Sequence, residues 1–163
     1  MAFYVWDLLG IPSDVDGLPF AKIASLPILP CFKNPMHPSM TFDDHTFEMI
    51  GCAIEVHRAL GPGLREKPYE NALVIELRRK GFDATPQKAY PIRYLDHVVG
   101  DCIPDITVND QVLIDTKSID AISENEIAQM LNYLRISSLE VGLIINFKNA
   151  KIETKRVIRT RRD

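Results

Sequence analysis

The order of helical and strand-like segments predicts one mixed α/β domain, α-α-β-β-β-α-β-β, behind a stretch without regular period. Three observations carry this. Between Phe47 and Lys80, two stretches repeat apolar residues at helical spacing. From about residue 88 to 117 the residues alternate and turns sit close together. Val141-Gly142-Leu143-Ile144-Ile145 runs apolar without alternation until Asn146, as expected of a strand covered on both faces.

Residues 1–40 stand apart. They hold Pro12, Pro19, Pro27, Pro30, Pro35 and Pro38, and proline blocks both helix interiors and central strands. This segment is expected to be loop or disordered, with the folded domain at 41–163. Met40 stands at the boundary, so residues 1–39 are either an extension peculiar to this chain or the result of an upstream start. The first helix is expected after Asp43-Asp44, which can cap an N-terminus. Phe47, Ile50, Ile54, His57 and Leu60 follow at helical spacing, and Gly61 ends the run. Gly61-Pro62-Gly63 turns the chain into a second helix, about Lys67 to Lys80, with Glu66 in its first turn. Pro68 is tolerated there because its missing N–H has no partner in a first turn, and Gly81 caps the end. Strands are expected at about 88–95, 98–108 and 111–117, with turns at Asp96 and Asn109-Asp110. Ser123 and Glu126 resemble a capping box for a helix over about 124–137. Residues 151–159 complete the order as an edge strand.

Composition narrows the function. At 163 residues, 46% hydrophobic and 25% charged, the chain suits one globular domain. A net charge of −3 argues against coating nucleic acid through bulk electrostatics, but it is compatible with an acidic metal site. Lys151, Lys155, Arg156, Arg159, Arg161 and Arg162 read first as a solvated strand edge and tail. Cys31, Cys52 and Cys102 form no C-x-x-C pair, so reduced thiols in a cytoplasmic protein are the simplest reading. No apolar run is long enough to span a membrane, and no Lys or Arg precedes Lys22 to form a signal-peptide n-region. His37, His45, His57 and His97 are scattered and are read as packing or capping residues. The chain has no phosphate-binding loop, dinucleotide fingerprint or nucleophile elbow.

The chemistry concentrates in Ile103-Pro104-Asp105 and, ten residues after that aspartate, Asp115-Thr116-Lys117. A carboxylate, a strand-length gap and a carboxylate-x-lysine can hold a hard divalent cation beside a cationic side chain. Magnesium keeps several waters, so two carboxylates suffice to anchor it. Charged hairpins produce the same spacing, so the pattern alone decides nothing. Register does. A two-residue turn at Asn109-Asp110 pairs 104 with 115 and splits the aspartates between faces. A three-residue loop, Asn109-Asp110-Gln111, sets Asp105 opposite Asp115 with Lys117 on the same face.

Other segments bear on the choice. Gly63, Glu66 and Tyr69 lie in Gly61-Pro62-Gly63-Leu64-Arg65-Glu66-Lys67-Pro68-Tyr69, and Gln129 and Tyr133 sit four apart on one helical face. From about Phe42 to Arg159 the chain resembles the bacterial GxxExxY family, a branch of the PD-(D/E)XK nuclease superfamily. Gly63, Glu66 and Tyr69 match the motif that names the family. Pro104, Asp105, Asp115 and Lys117 match the superfamily signature, and Gln129 and Tyr133 resemble the Q-x-x-x-Y element of its exonuclease branches.

The resemblance implies a restriction-endonuclease-like core, an α-β-β-β-α-β mixed sheet flanked by helices, here with an extra N-terminal helix. It also implies a nuclease that uses Mg²⁺, with Mn²⁺ as substitute, on DNA ahead of RNA. Asp105, Asp115 and the Thr116 carbonyl would hold the metal, and Glu66 would complete the site. Lys117 would orient the attacking water, with Gln129 in support. Glu66 shares a helical stripe with Tyr69, Leu73 and Leu77 and is expected to point inward. The whole set is expected in one concave site at the sheet edge. The alternative is an inactive nuclease-fold module that binds protein or nucleic acid. The residues leave oligomeric state open, a homodimer included.

Overall fold

The computed structural model describes residues 42–160, with side chains from His45 onward. The proline-rich segment 1–40, with Cys31 and His37, lies outside the described residues. Two helices, α1 (Phe42–Leu60) and α2 (Glu66–Arg79), precede five strands: β1 (Ala84–Pro86), β2 (Tyr90–Tyr94), β3 (His97–Cys102), β4 (Ile106–Val108) and β5 (Val112–Lys117). Helix α3 (Glu124–Ser137) and strands β6 (Val141–Asn146) and β7 (Glu153–Ile158) follow.

One sheet runs in the order β1-β4-β5-β6-β7, and β2 and β3 form a separate two-stranded ribbon. Only β5 and β6 are parallel; the other neighbours in the main sheet are antiparallel. This is the mixed, helix-flanked sheet expected of a restriction-endonuclease-like core. Side-chain alternation divides the core into two layers. Ile114, Leu143 and Ile145 pack with Met49 and Val56 of α1 and with Tyr69, Leu73 and Leu77 of α2. Leu113, Ile144 and Val157 face the other way, onto Met130 and Leu134 of α3. All six residues of β6 are buried, as its unbroken apolar run implies.

Local chemistry explains the ends. Gly81, at φ 90°, closes α2: its N–H donates to the Arg78 carbonyl and that of Phe82 to Leu77, satisfying orphaned carbonyls. Ser123 caps α3 in a complete capping box with Glu126, worth about 1 kcal/mol. Helix α1 already begins at Phe42, so Asp43 and Asp44 fall inside its first turn rather than before it.

The strand block departs from expectation in two ways. The expected strand 98–108 is two strands in two sheets, broken at Ile103-Pro104-Asp105. Pro104 has no N–H to contribute to a ladder, so the chain can leave the ribbon there and enter the main sheet. Strand β1 has no counterpart among the expected elements. It is three residues long, too short to show alternation, and pairs Ala84 with Val108.

Helix α3 packs on β6 at Gly142. A Cβ on Gly142 would overlap the Met130 sulfur and stand 2.7 Å from its Cγ. Gly142→Ala is therefore expected to cost about 1–3 kcal/mol by overpacking. An unchanged urea midpoint would show that Met130 can move aside.

Candidate active site

The first structural question is register. Val108 pairs with Val112 and Ile106 with Ile114, so the loop is the three-residue Asn109-Asp110-Gln111. Asn109 and Asp110 are both left-handed, at φ 52° and 54°, and the Gln111 N–H closes the turn onto the Val108 carbonyl at 3.0 Å. Asn and Asp tolerate this conformation better than other non-glycine residues. Continued by one pair, the register sets Asp105 opposite Asp115. It is the register that two cooperating carboxylates need.

Strand β5 runs from apolar Val112-Leu113-Ile114 into polar Asp115-Thr116-Lys117, and its parallel neighbour β6 ends on buried Asn146 beside Lys117. Polar groups thus gather at the shared C-terminal end of the two central strands, where ligands of open α/β sheets commonly bind. The location is the end of a central strand, not a sheet edge as expected from the sequence.

Lys117 and Asp115, two apart on one face, form an ion pair at 2.8 Å with only 17% and 6% of their side chains exposed. The ammonium also donates to Gln129 Oε1 at 3.0 Å, and Gln129 Nε2 donates to the Tyr133 hydroxyl at 3.0 Å. Asp115, Lys117, Gln129 and Tyr133 are therefore one hydrogen-bonded chain from β5 to α3. Tyr133 sits half-buried beside Met130 and Leu134, while Leu131, expected in the apolar stripe, is 40% exposed.

Asp105 turns in towards the strand. Its Oδ2 accepts from both the N–H and the hydroxyl of Thr116, each at 2.7 Å. It thereby supplies the partner that β4 cannot, since β4 begins only at Ile106. In a strand, the N–H and C=O of one residue lie on the same side. Phe147 donates to the Lys117 carbonyl from the β6 side, so the Thr116 carbonyl points to the Asp105 side.

Glu66 does not follow the expected stripe inward. Tyr69, Leu73 and Leu77 are fully buried, but Glu66 is the first residue of α2 and is exposed beyond the sheet. Its Oε1 accepts from the Ser118 N–H at 3.1 Å, which brings it to the end of β5. The neighbouring turn explains the G-x-x-E-x-x-Y spacing. Gly63 is left-handed at φ 96°, and the Tyr69 hydroxyl donates to the Gly61 carbonyl at 2.6 Å while accepting from the Leu64 N–H at 3.2 Å. Tyr69 itself stacks on Phe147 at 4.5 Å. Glycine lets the chain turn, tyrosine pins the turn, and the glutamate is placed at the strand end.

Electrostatics mark Asp115. Burial pushes its pKa from an ordinary 3.8 up to about 6; the charges of Asp105 and Glu66 add to the rise, and Lys117 opposes it. Burial would lower the Lys117 pKa, but its bond to Asp115 and the charges of Asp115, Glu66 and Asp105 outweigh that and hold it above its ordinary value. Because folded Asp115 holds its proton more tightly than the unfolded chain does, its contribution is most favourable at low pH and is lost as pH rises through about 6. The metal-free melting temperature of Asp115→Asn, relative to wild type, should thus shift in the variant's favour between about pH 4 and pH 7. A pH-independent difference would show that Asp115 titrates normally.

Among the described residues, no three of His, Cys, Asp and Glu gather into a ready metal cage, so Glu66 does not join the two aspartates in one. The donors present still fit a hard divalent ion. Asp105 Oδ1 and Asp115 Oδ1 accept no hydrogen bond among the described residues, the Thr116 carbonyl points to the same side, and Asp115 is a buried carboxylate whose charge a cation would offset.

Two polar residues not singled out from the sequence shape the site. Asn146, fully buried, grips both the N–H and the carbonyl of Ile119 and so fixes the loop after β5. A polar residue ending a buried strand was its only signal. Ser118 ties the same loop to the Leu64 carbonyl at 2.9 Å, and nothing in its local pattern marks it. Two of the histidines pack: His57 Nε2 lies 2.9 Å from the Asn149 carbonyl, and buried His45 meets the Phe82 ring edge-on.

The family model of the PD-(D/E)XK nuclease superfamily matches residues 43–157. The chain belongs to that superfamily. Its match spans both helical layers and every strand through β6, with Asp105, Asp115 and Lys117 inside it. PD-(D/E)XK nucleases typically use divalent metal ions, as the donor set here would suit. No curated protein matches the chain. Among solved structures, the alkaline exonuclease LHK-Exo from Laribacter hongkongensis aligns with a TM-score of 0.46 and 13% identity, covering 74% of this chain and 73% of that one. No described helix of this PD-(D/E)XK chain is long and apolar enough to cross a membrane.

Proposed function

We propose that this superfamily member is a magnesium-dependent phosphodiesterase of the GxxExxY branch, cutting DNA in preference to RNA, with manganese able to replace magnesium. The observation that carries the reading is the ion pair of buried Asp115 with half-buried Lys117, beside the tethered Asp105 at the end of the central strand. A scaffold with no chemistry gains little from burying such charges, because desolvating them is costly.

Asp105, Asp115 and the Thr116 carbonyl would hold the cation, with Glu66 reaching it through water. When bound, a divalent cation polarises the phosphate and lowers the pKa of a coordinated water. Lys117 orients the attacking water and offsets negative charge as it develops on the phosphate. Gln129 holds the ammonium in place, and Tyr133 holds Gln129. Cys52 and Cys102, buried free thiols, suit the cytoplasm.

The test is incubation of the full chain with single- and double-stranded DNA and with RNA, under magnesium, manganese or a chelator. Metal-dependent cleavage of DNA, abolished by chelation, is expected. A protein that binds the metal and cleaves neither nucleic acid would instead be a binding module built on the nuclease fold.

A further inference from the structure

Gln129 and Tyr133 face a second space besides the Lys117 chain. A cleft of about 450 Å³ opens between the β2–β3 ribbon and α3, a size suited to a small-molecule site. One wall is a single stripe of α3, where Asn125, Ala128, Gln129, Asn132, Tyr133 and Ile136 recur at helical spacing. The other is built from Ile92 of β2 and from the Asp101-Cys102-Ile103 segment that leaves β3.

The lining decides the chemistry of the occupant. Ile92, Ile103, Ile136 and the Tyr133 ring offer apolar surface for a flat group. The amides of Asn125 and Asn132 each supply a donor and an acceptor. Asp101 is the one charged residue in the lining, and it repels an anion. A phosphate is therefore a poor occupant, whereas an uncharged ring with a hydrogen-bonding edge is a good one. Gln129 connects the two spaces: its oxygen takes the Lys117 ammonium while its nitrogen is bonded to Tyr133. The cleft thus begins one side chain away from the group assigned to the phosphate, and a sugar links a nucleobase to its own phosphate.

We infer that the cleft between the β2–β3 ribbon and α3 receives an unpaired nucleobase next to the scissile phosphate, so that the substrate strand is single-stranded at the cut. This rests on the nuclease reading above. A base stacked and paired in a duplex cannot enter such a cleft without leaving the helix. Stacking and edge contacts in the cleft should make binding depend on the bases, not on the backbone alone.

The experiment measures binding of three labelled probes to the full chain with calcium in place of magnesium: a mixed-sequence single strand, its blunt duplex, and an abasic strand of equal length. Magnesium-dependent cleavage of the first two is followed in parallel. Wild type is expected to bind the intact single strand about tenfold or more tightly than either other probe. Ala128 is exposed on α3, so Ala128→Trp fills the cleft without entering the core. It should remove the preference while leaving abasic binding unchanged. Asn132→Ala, also exposed, should weaken intact-strand binding severalfold independently. Equal affinity for intact and abasic strands, or undiminished binding by both variants, overturns the cleft assignment, and metal-dependent cleavage would then leave the nuclease reading standing. Base-dependent binding that both variants weaken, in a wild type that cuts nothing, supports the cleft and refutes the nuclease reading.

Discussion

Lys117→Ala should lower magnesium-dependent DNA cleavage by about 10²-fold or more, because one well-placed electrostatic group acting in the transition state is worth that much. The expectation follows from where the ammonium sits. It is half-buried, paired with Asp115 and held by Gln129, so its position is set before substrate arrives. The carboxylates remain in the variant, and metal binding should survive or tighten as a nearby positive charge disappears. Cleavage rates and metal titration on the same protein separate these effects. Undiminished cleavage by Lys117→Ala would place the chemistry elsewhere.

The largest effect on stability is expected at Tyr69. It is fully buried, stacked on Phe147, and its hydroxyl pins the turn before α2. Tyr69→Ala should cost about 3–5 kcal/mol through the cavity it leaves. Tyr69→Phe keeps the stack but loses the bonds to Gly61 and Leu64, at about 1 kcal/mol. It should reduce cleavage more than its stability loss explains, since the turn that places Glu66 is loosened. Urea midpoints and cleavage rates for both variants check this. Full activity in a stable Tyr69→Phe would mean that Glu66 is placed without that turn.

Periodicity and capping made the helices legible, because α1, α2 and α3 each bury one stripe, α1 and α2 stop at Gly61 and Gly81, and α3 starts at a Ser123–Glu126 box. Strand β6 was legible for a different reason: buried on both faces, it runs apolar without alternation. What pattern reading missed depends on partners distant in sequence. Strand β1 is only three residues and exists through its pairing with β4. The expected strand 98–108 ran through Pro104, because the transfer of the chain from ribbon to main sheet there is a tertiary choice. At the site, the residues Asp105, Asp115, Lys117, Gln129 and Glu66 were legible as types at fixed spacings. The tether of Asp105 to Thr116 and the reach of Glu66 to Ser118 were not, since each joins groups across elements whose relative placement no spacing encodes.

The central claim is that Asp105 and Asp115 hold a divalent cation for hydrolysis. Calorimetric titration of manganese into wild type and Asp105→Ala tests it most directly, with circular dichroism to confirm that the variant is folded. The account predicts one saturable site in the wild type that disappears in Asp105→Ala. A folded Asp105→Ala that binds manganese as tightly as wild type, or a wild type that binds none, would contradict it.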